Sequence, residues 1–271
     1  MRALVRILAA ALPLLLACSL LSGGPLAVTP AAGTPTTATA LATEPPPDAS
    51  SEAIQILEPG PGSRLVSPLS VRVRTRLPAF ERTLTLRVLS DDGRDLIGPQ
   101  AVVATSEEGG WLSFSATLTF SVSDERNAFL QAYLTSPRDG GVTHLSSTWV
   151  RLMPAGEVVI EPAPADPPEA LQILLPAAGE SIRGGVVHVE GIGLASFEQT
   201  LLIEVHDAAG AVIGLQPVLV QAPDWGIAGP YRADVAYTLA AAGPGRIVVR
   251  DISPAHGDDV HRAGVEIELA P

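Results

Sequence analysis

The chain has no lysine, and all 17 of its basic residues are arginines. Against 29 acidic residues they leave a formal net charge of −12. That balance argues against a nucleic-acid partner, because a phosphate backbone calls for a basic footprint. There is one cysteine, Cys18, so no intramolecular disulfide can form and no cysteine metal cluster exists. Aromatic residues make up only 4% of the chain, and no segment after the N-terminus reaches the ~18 consecutive apolar residues of a membrane span. No G-x-S-x-G stretch carries a serine nucleophile, and no carboxylate spacing selects a general acid and base. The expectation is therefore a protein that is not an enzyme and that uses no cofactor or metal.

What is abundant is glycine and proline, 25 of each, which suits short strands joined by many turns. The strands come in two sets. Residues 80 to 98 and 197 to 214 each read as an alternating strand, a glycine turn and a return strand. Leu84, Leu86 and Val88 share one face in the first copy, and Leu201, Ile203 and Val205 in the second. The offset is 117 residues: Phe80 maps on Phe197, Glu81 on Glu198 and Gly93 on Gly210. The same register carries Phe114, Leu118 and Phe120 onto Tyr231, Val235 and Tyr237. Seven short strands per copy predict an all-β protein of two tandem sandwiches, at 53–153 and 170–271. Residues 154–169 hold five prolines and read as a stiff linker that does not require the sandwiches to dock.

The N-terminus has the pattern of an export signal. Arg2 and Arg6 precede an apolar run from Ile7 to Ala17 that ends at Cys18, too short to span a bilayer but suited to secretion. Leu15-Leu16-Ala17-Cys18 resembles a bacterial lipobox, which implies cleavage before Cys18 and its acylation. Removing Arg2 and Arg6 would leave 15 basic against 29 acidic residues, or −14. Two or three acyl chains anchor a protein stably, at ~0.8 kcal/mol per buried methylene. The Ala, Thr and Pro-rich stretch 19–52 cannot bury enough surface to offset its ordering entropy and reads as a disordered tether. The expected location is extracytoplasmic, membrane-anchored at the bacterial cell surface.

The second copy supplies Leu171, Ile173, Pro176, Gly179, Phe197, Glu198, Asp207, Gly210, Val249, Asp251, Ser253 and Gly257. In this order and spacing they resemble the bacterial spore-germination immunoglobulin-like domain. The first copy departs where Leu134 stands in place of Asp251. The resemblance implies an immunoglobulin-like β-sandwich outside the cytoplasm, often attached to lipoproteins, without known catalysis, and a link to germination or sporulation.

Several residues are candidates for more than folding. Arg72, Arg74 and Arg76 alternate with Val71, Val73 and Thr75, so three guanidiniums span ~13 Å on one strand face. Such a ladder can pair with repeating anionic groups of a cell-wall polymer; the bland alternatives are a solvated face or docking on the acidic second domain. The first copy has 10 arginines and 10 acids and the second 5 and 12, so an anion-binding face belongs to the first. Phe80 and Phe197 are expected as core anchors, and Glu81 and Glu198 as carboxylates tying down the neighbouring turn. His256, Asp258, Asp259 and His261 have zinc-competent chemistry, although a polar turn facing water has the same composition. His188 and His206 are expected to be solvated on outward strand faces. Trp111 and Trp225 either cap a sandwich or stack on sugar rings. The leading expectation is a non-enzymatic, lipid-anchored surface protein that binds or spaces, with a wall polymer or surface protein as partner. Its rival is a surface hydrolase or carbohydrate-binding module acting on wall glycan.

Overall fold

The computed structural model describes residues 50–195 and 198–271. Cys18, Phe197 and nearly all of the expected tether lie outside them. The first domain contains β1 (Ile54–Glu58), β2 (Arg64–Leu65), β3 (Leu69–Thr75), β4 (Thr83–Ser90), β5 (Asp95–Val103), β6 (Ser106–Glu108), β7 (Trp111–Leu118), β8 (Arg126–Thr135) and β9 (Val142–Leu152). The second contains β10 (Leu171–Leu175), β11 (Ser181–Ile182), β12 (Val186–Gly193), β13 (Thr200–His206), β14 (Val212–Leu219), β15 (Gly229–Ala236), β16 (Gly243–Ile252) and β17 (Asp259–Leu269). Among the described residues the only helical turn is a 3-10 turn at Phe80–Arg82, and no helix is long and apolar enough to cross a membrane.

Period-two alternation sets each core. Leu69, Val71, Val73 and Thr75 of β3 are buried while Ser70 and Arg72 face out. They meet Leu84, Leu86, Val88, Phe114, Leu130 and Val150 in one cluster. The second core repeats it with Val187, Val189, Leu201, Ile203, Val205, Tyr231, Ile247 and Val249. Each such side chain contributes about 1.5–3 kcal/mol of burial. Tyr231, at the position of Phe114, also donates its hydroxyl to the Gln172 carbonyl at 3.0 Å. The glycines of the repeated hairpin turn, Gly93 and Gly210, have φ of 83° and 80°, the left-handed geometry that closes a short hairpin without a Cβ clash.

Phe80 does not anchor the core, being 56% exposed. Glu81 and Arg82 take φ of 50° and 55°, and this left-handed pair turns the chain so that Leu84, two residues into β4, is the first side chain to enter. The second copy repeats the turn at Glu198 and Gln199, with φ of 46° and 53°. Thr83 Oγ1 donates to the Glu81 carbonyl at 3.2 Å, and Thr200 Oγ1 to the Glu198 carbonyl at 3.3 Å. The threonine hydroxyl holds each turn through the glutamate's backbone.

The sheets show how the copies combine. β1, β3, β7 and β6 form one outer sheet, and β10, β12 and β15 its counterpart. The remaining long strands form one continuous sheet in the order β14-β13-β16-β17-β9-β8-β4-β5, with β2 on β9 and β11 on β17. At its centre β9 pairs antiparallel with β17 through Leu145 and Arg262, residues one repeat apart. Equivalent strands meeting antiparallel at equivalent residues define an approximate twofold axis, the geometry of an isologous dimer within one chain.

The proline-rich linker permits this because it does not hold the domains apart. It lies along the first domain: the Arg64 amide donates to the Val159 carbonyl at 2.8 Å and the Gly60 amide to the Glu161 carbonyl at 3.1 Å. Its far end, Pro168, bridges Ser51. A protease site inserted between the exposed Gly156 and Glu157 should therefore leave the cleaved halves co-eluting on gel filtration. Two separate half-mass peaks would mean that only the covalent linker joins them.

Candidate binding site at the domain seam

The seam is built from residues in pairs one repeat apart. The Glu52 amide donates to the Pro167 carbonyl at 2.8 Å, and the Glu169 amide to the Ser50 carbonyl at 2.6 Å. Glu52 Oε2 accepts from the Ala170 amide and Glu169 Oε2 from the Ala53 amide, both at 2.8 Å. Each copy thus grips the other by the same carboxylate on the same backbone group. Residues 50–52, expected in the tether, belong to this clasp.

Farther from the axis the positions stay equivalent but the chemistry differs. On one side Phe129 packs against His256 with the rings tilted by 53° and their centroids 5.0 Å apart. The equivalent pair is Arg246 and Asp139, with Nη2 3.0 Å from both carboxylate oxygens. The hairpin glycines make room for both: a Cβ at Gly93 would lie 3.1 Å from His256, and one at Gly210 3.0 Å from Asp139. Arg246 is 1% exposed and also donates to Glu266 at 2.7 Å, whose other oxygen takes Arg138 at 2.6 Å. Arg87 pairs with Asp258 at 2.8 Å, and Gln131 donates to the Asp259 carbonyl at 2.7 Å.

This accounts for the 256–261 stretch. His256 packs against Phe129, Asp258 pairs with Arg87, Asp259 takes Arg250 and Arg262 at 2.7 Å each, and His261 is enclosed. Four residues serve separate roles, and the described residues contain no group of three or more metal-competent side chains. His206 is buried rather than solvated, its Nε2 2.8 Å from Glu204, and Arg250 binds the other Glu204 oxygen at 2.7 Å. Burial opposes ionisation of Glu204, but the bonds from His206 and Arg250 outweigh it and hold the carboxyl down at about 2. His188 is half-exposed, clamped between Asp234 at 2.7 Å and Glu190 at 2.9 Å.

Two clefts of about 340 Å³ flank the clasp. One is lined by Glu52, Ile56, Ser146, Trp149, Pro164 and His261, the other by Arg76, His144, Glu169, Ile173, Pro176 and Ala263. Glu52 and Glu169, Ile56 and Ile173, and His261 and His144 are repeat equivalents, so the clefts are symmetry mates. Linker prolines wall the first. A Cβ at Gly60 would lie 2.5 Å from the Glu161 carbonyl, and the second copy has Ala177 there, so no strand can approach the second domain as closely. Burial raises the Glu52 and Glu169 carboxyls well above their ordinary range, with Glu52 repelling the charge on Glu169 as well. Burial brings His144 and His261 down to about 4. The Ser146 hydroxyl bonds to Glu52.

The arginine ladder lies on the outer face of the β1-β3-β7-β6 sheet and is partly occupied. Arg72 binds Glu58 Oε2 with Nε and Nη2 at 3.0 and 2.8 Å. Arg74 forks onto Gln55 Oε1 at 2.9 and 2.7 Å and lies 4.4 Å over the Trp111 ring. Arg76 lies 5.8 Å from that ring and 3.9 Å from Glu169. Trp111 therefore packs under arginines, while Trp225 is 67% exposed. The clasp residues Glu52 and Glu169 went unnoticed in the sequence, though the repeat marks them: each precedes an alanine and the opening strand of its copy.

Fold and seam together define a tandem immunoglobulin-like β-sandwich protein, a class typically non-catalytic. Residues 53–141 and 170–258 each match the immunoglobulin-like domain of bacterial spore germination, and the chain belongs to that family in two copies. No curated protein matches the chain. Among solved structures it is similar to the fibronectin(III)-like modules of Clostridium thermocellum CbhA, at 13% identity over 80% of this chain and 93% of that one, TM-score 0.23. It is also similar to dimeric latent PorU from Porphyromonas gingivalis, at 13% identity over 80% and 20%, TM-score 0.28. A third is the N-terminal Ig1-2 module of the Drosophila receptor protein tyrosine phosphatase DLAR, at 11% over 81% and 98%, TM-score 0.22.

The half-buried histidines of the two clefts, His144 and His261, make a pH prediction. Their folded values lie below the ordinary 6.5, so their contribution is present above pH 6.5 and lost as pH falls toward 4, at ~1.4 kcal/mol per pH unit for each proton. The raised carboxyls act oppositely, contributing fully below pH 4.5 and losing that contribution as pH rises. Between about 4.5 and 6.5 the two slopes offset each other. Urea unfolding of the wild type should vary little across that window, whereas a His144→Asn/His261→Asn variant should become more stable as pH falls. Parallel curves would show that the histidines titrate normally.

Proposed function

We propose that this is a non-enzymatic, lipid-anchored bacterial cell-surface protein, held in the membrane by acylated Cys18. Its docked pair of immunoglobulin-like domains serves as a contact and spacer module of the envelope. The observation that carries this reading is the docking itself: two family domains share one sheet through a reciprocal seam, which makes a stiff unit suited to presenting a surface at a fixed distance. Family membership supports a place in germination or sporulation. The surface proposed for contact is the ladder of Arg72, Arg74 and Arg76. Arg72 keeps 58% and Arg76 36% side-chain exposure, while Arg74 is held rigid between Gln55 and Trp111. Preorganised guanidiniums suit the phosphates of an anionic wall polymer. The exposed Trp225 favours a second reading, stacking on wall glycan.

Two measurements test this. Cys18→Ala should move the protein from the detergent phase to the aqueous phase, and retention of the variant in detergent rejects the anchor. Full-length protein should be retained on immobilised teichoic acid, with retention falling steeply with salt. The Arg72→Ala/Arg74→Ala/Arg76→Ala variant should lose that retention. Equal retention by the triple variant rejects the ladder, and binding to uncharged glycan that Trp225→Ala abolishes would favour the second reading.

A further inference from the structure

The segments that lead into β1 and β10 are held to each other by two acids. Glu52 and Glu169 each accept the other copy's amide at 2.8 Å, and each lies in a cleft that gives solvent a path to the seam. We propose that this carboxyl pair is a proton-operated latch, keeping the two domains docked while it holds protons and loosening the seam when both members ionise.

The surroundings support a latch rather than a permanent ion pair. Glu52 faces the Ala170 amide, the Ser146 hydroxyl from β9, Arg76 at the end of β3, and Glu169. His261 of β17 lines the same cleft. Glu169 faces the Ala53 amide, Arg76 at 3.9 Å, and Glu52, with His144 of β9 in its cleft. Asp166, bonded to Gln55, adds a further negative charge near Arg76. Arg76 is thus the one arginine facing both glutamates and shares Asp166 with Arg74, so full ionisation leaves three carboxylates against two arginines beside the axis. Elsewhere in the seam Arg87 and Asp258 pair off, as do Arg246 and Arg138 with Asp139 and Glu266. Arg250 and Arg262 pair with Glu204 and Asp259. These charges offset one another within their pairs, and His144 and His261, held down at about 4, are neutral at neutral and alkaline pH. The two glutamates, with values raised to about 7 and about 8, lose their protons as pH rises past neutrality. Their docked values lie above the ordinary 4.5, so docking stability is present at low pH and lost as pH rises through those values.

Small-angle scattering of the full chain between pH 5 and 9 tests this. The radius of gyration should stay constant up to pH 6.5 and then rise as the seam loosens. Glu52→Gln/Glu169→Gln keeps the acceptor oxygens without the charge and should abolish the rise. Arg76→Ala removes an exposed positive charge that stabilises both ionised glutamates in the docked seam, so it should move the rise to lower pH. The proposal is overturned by a constant radius in the wild type or by an equal rise in the glutamine variant. It is also overturned by a rise that Arg76→Ala moves to higher pH.

Discussion

The pairing of β9 with β17 is the contact on which the rest of this molecule depends. In each sandwich that strand is the open edge of its sheet, a row of backbone donors and acceptors that needs a partner. The two edges join at Leu145 and Arg262, while β2 and β11 pair with the far ends of β9 and β17. The join places the duplicated residues around a twofold axis, so every contact off the axis occurs in two versions. The outer edges of the shared sheet, β5 and β14, carry Pro99 and Pro217, which cannot donate to a further strand. The sheet therefore extends through its centre and is blunted at its ends.

Self-complementary seams raise the question of wrong pairing, and divergence of the copies answers it. Phe129 meets His256 where Arg246 meets Asp139. Two first domains meeting in this way would set Phe129 against Asp139, and two second domains would set Arg246 against His256. Both mispairings bury a charge without its partner, whereas the pairing within one chain leaves none in that position. The crossing pairs Arg87 with Asp258 and Arg138 with Glu266 act in the same sense. They give a physical use to the uneven charge of the two copies, arginine-rich in the first and acidic in the second.

The combination of an intimate seam and a polar one bears on function. An apolar interface of the same extent would lock the domains regardless of conditions. Here the reciprocal clasp is made by two glutamates that share Arg76, and the clefts beside them reach solvent. With the proposed latch, a module of two family domains would be both stiff and responsive to protonation, in keeping with the extracytoplasmic location proposed for it.

Alternation of apolar residues and the 117-residue offset were enough to read the all-β class, the duplication and the strands of both sandwiches, because inward and outward faces follow from period two alone. The same pattern states only that a side chain leaves its own sandwich, not what it meets there. His206 was legible as outward, yet Glu204 and Arg250 enclose it. Phe80 occupied an anchor's position in the pattern, but the left-handed turn at Glu81 and Arg82 swings it into solvent. The linker's prolines showed stiffness, while the direction in which it runs depends on the close approach that Gly60 allows. Glu52 and Glu169 were visible as a repeat and silent as a clasp. Local sequence determined the two sandwiches, since each face is settled by neighbours two residues away. The seam was decided only in the tertiary structure, because its partners stand roughly one repeat apart and meet only after both edges have formed.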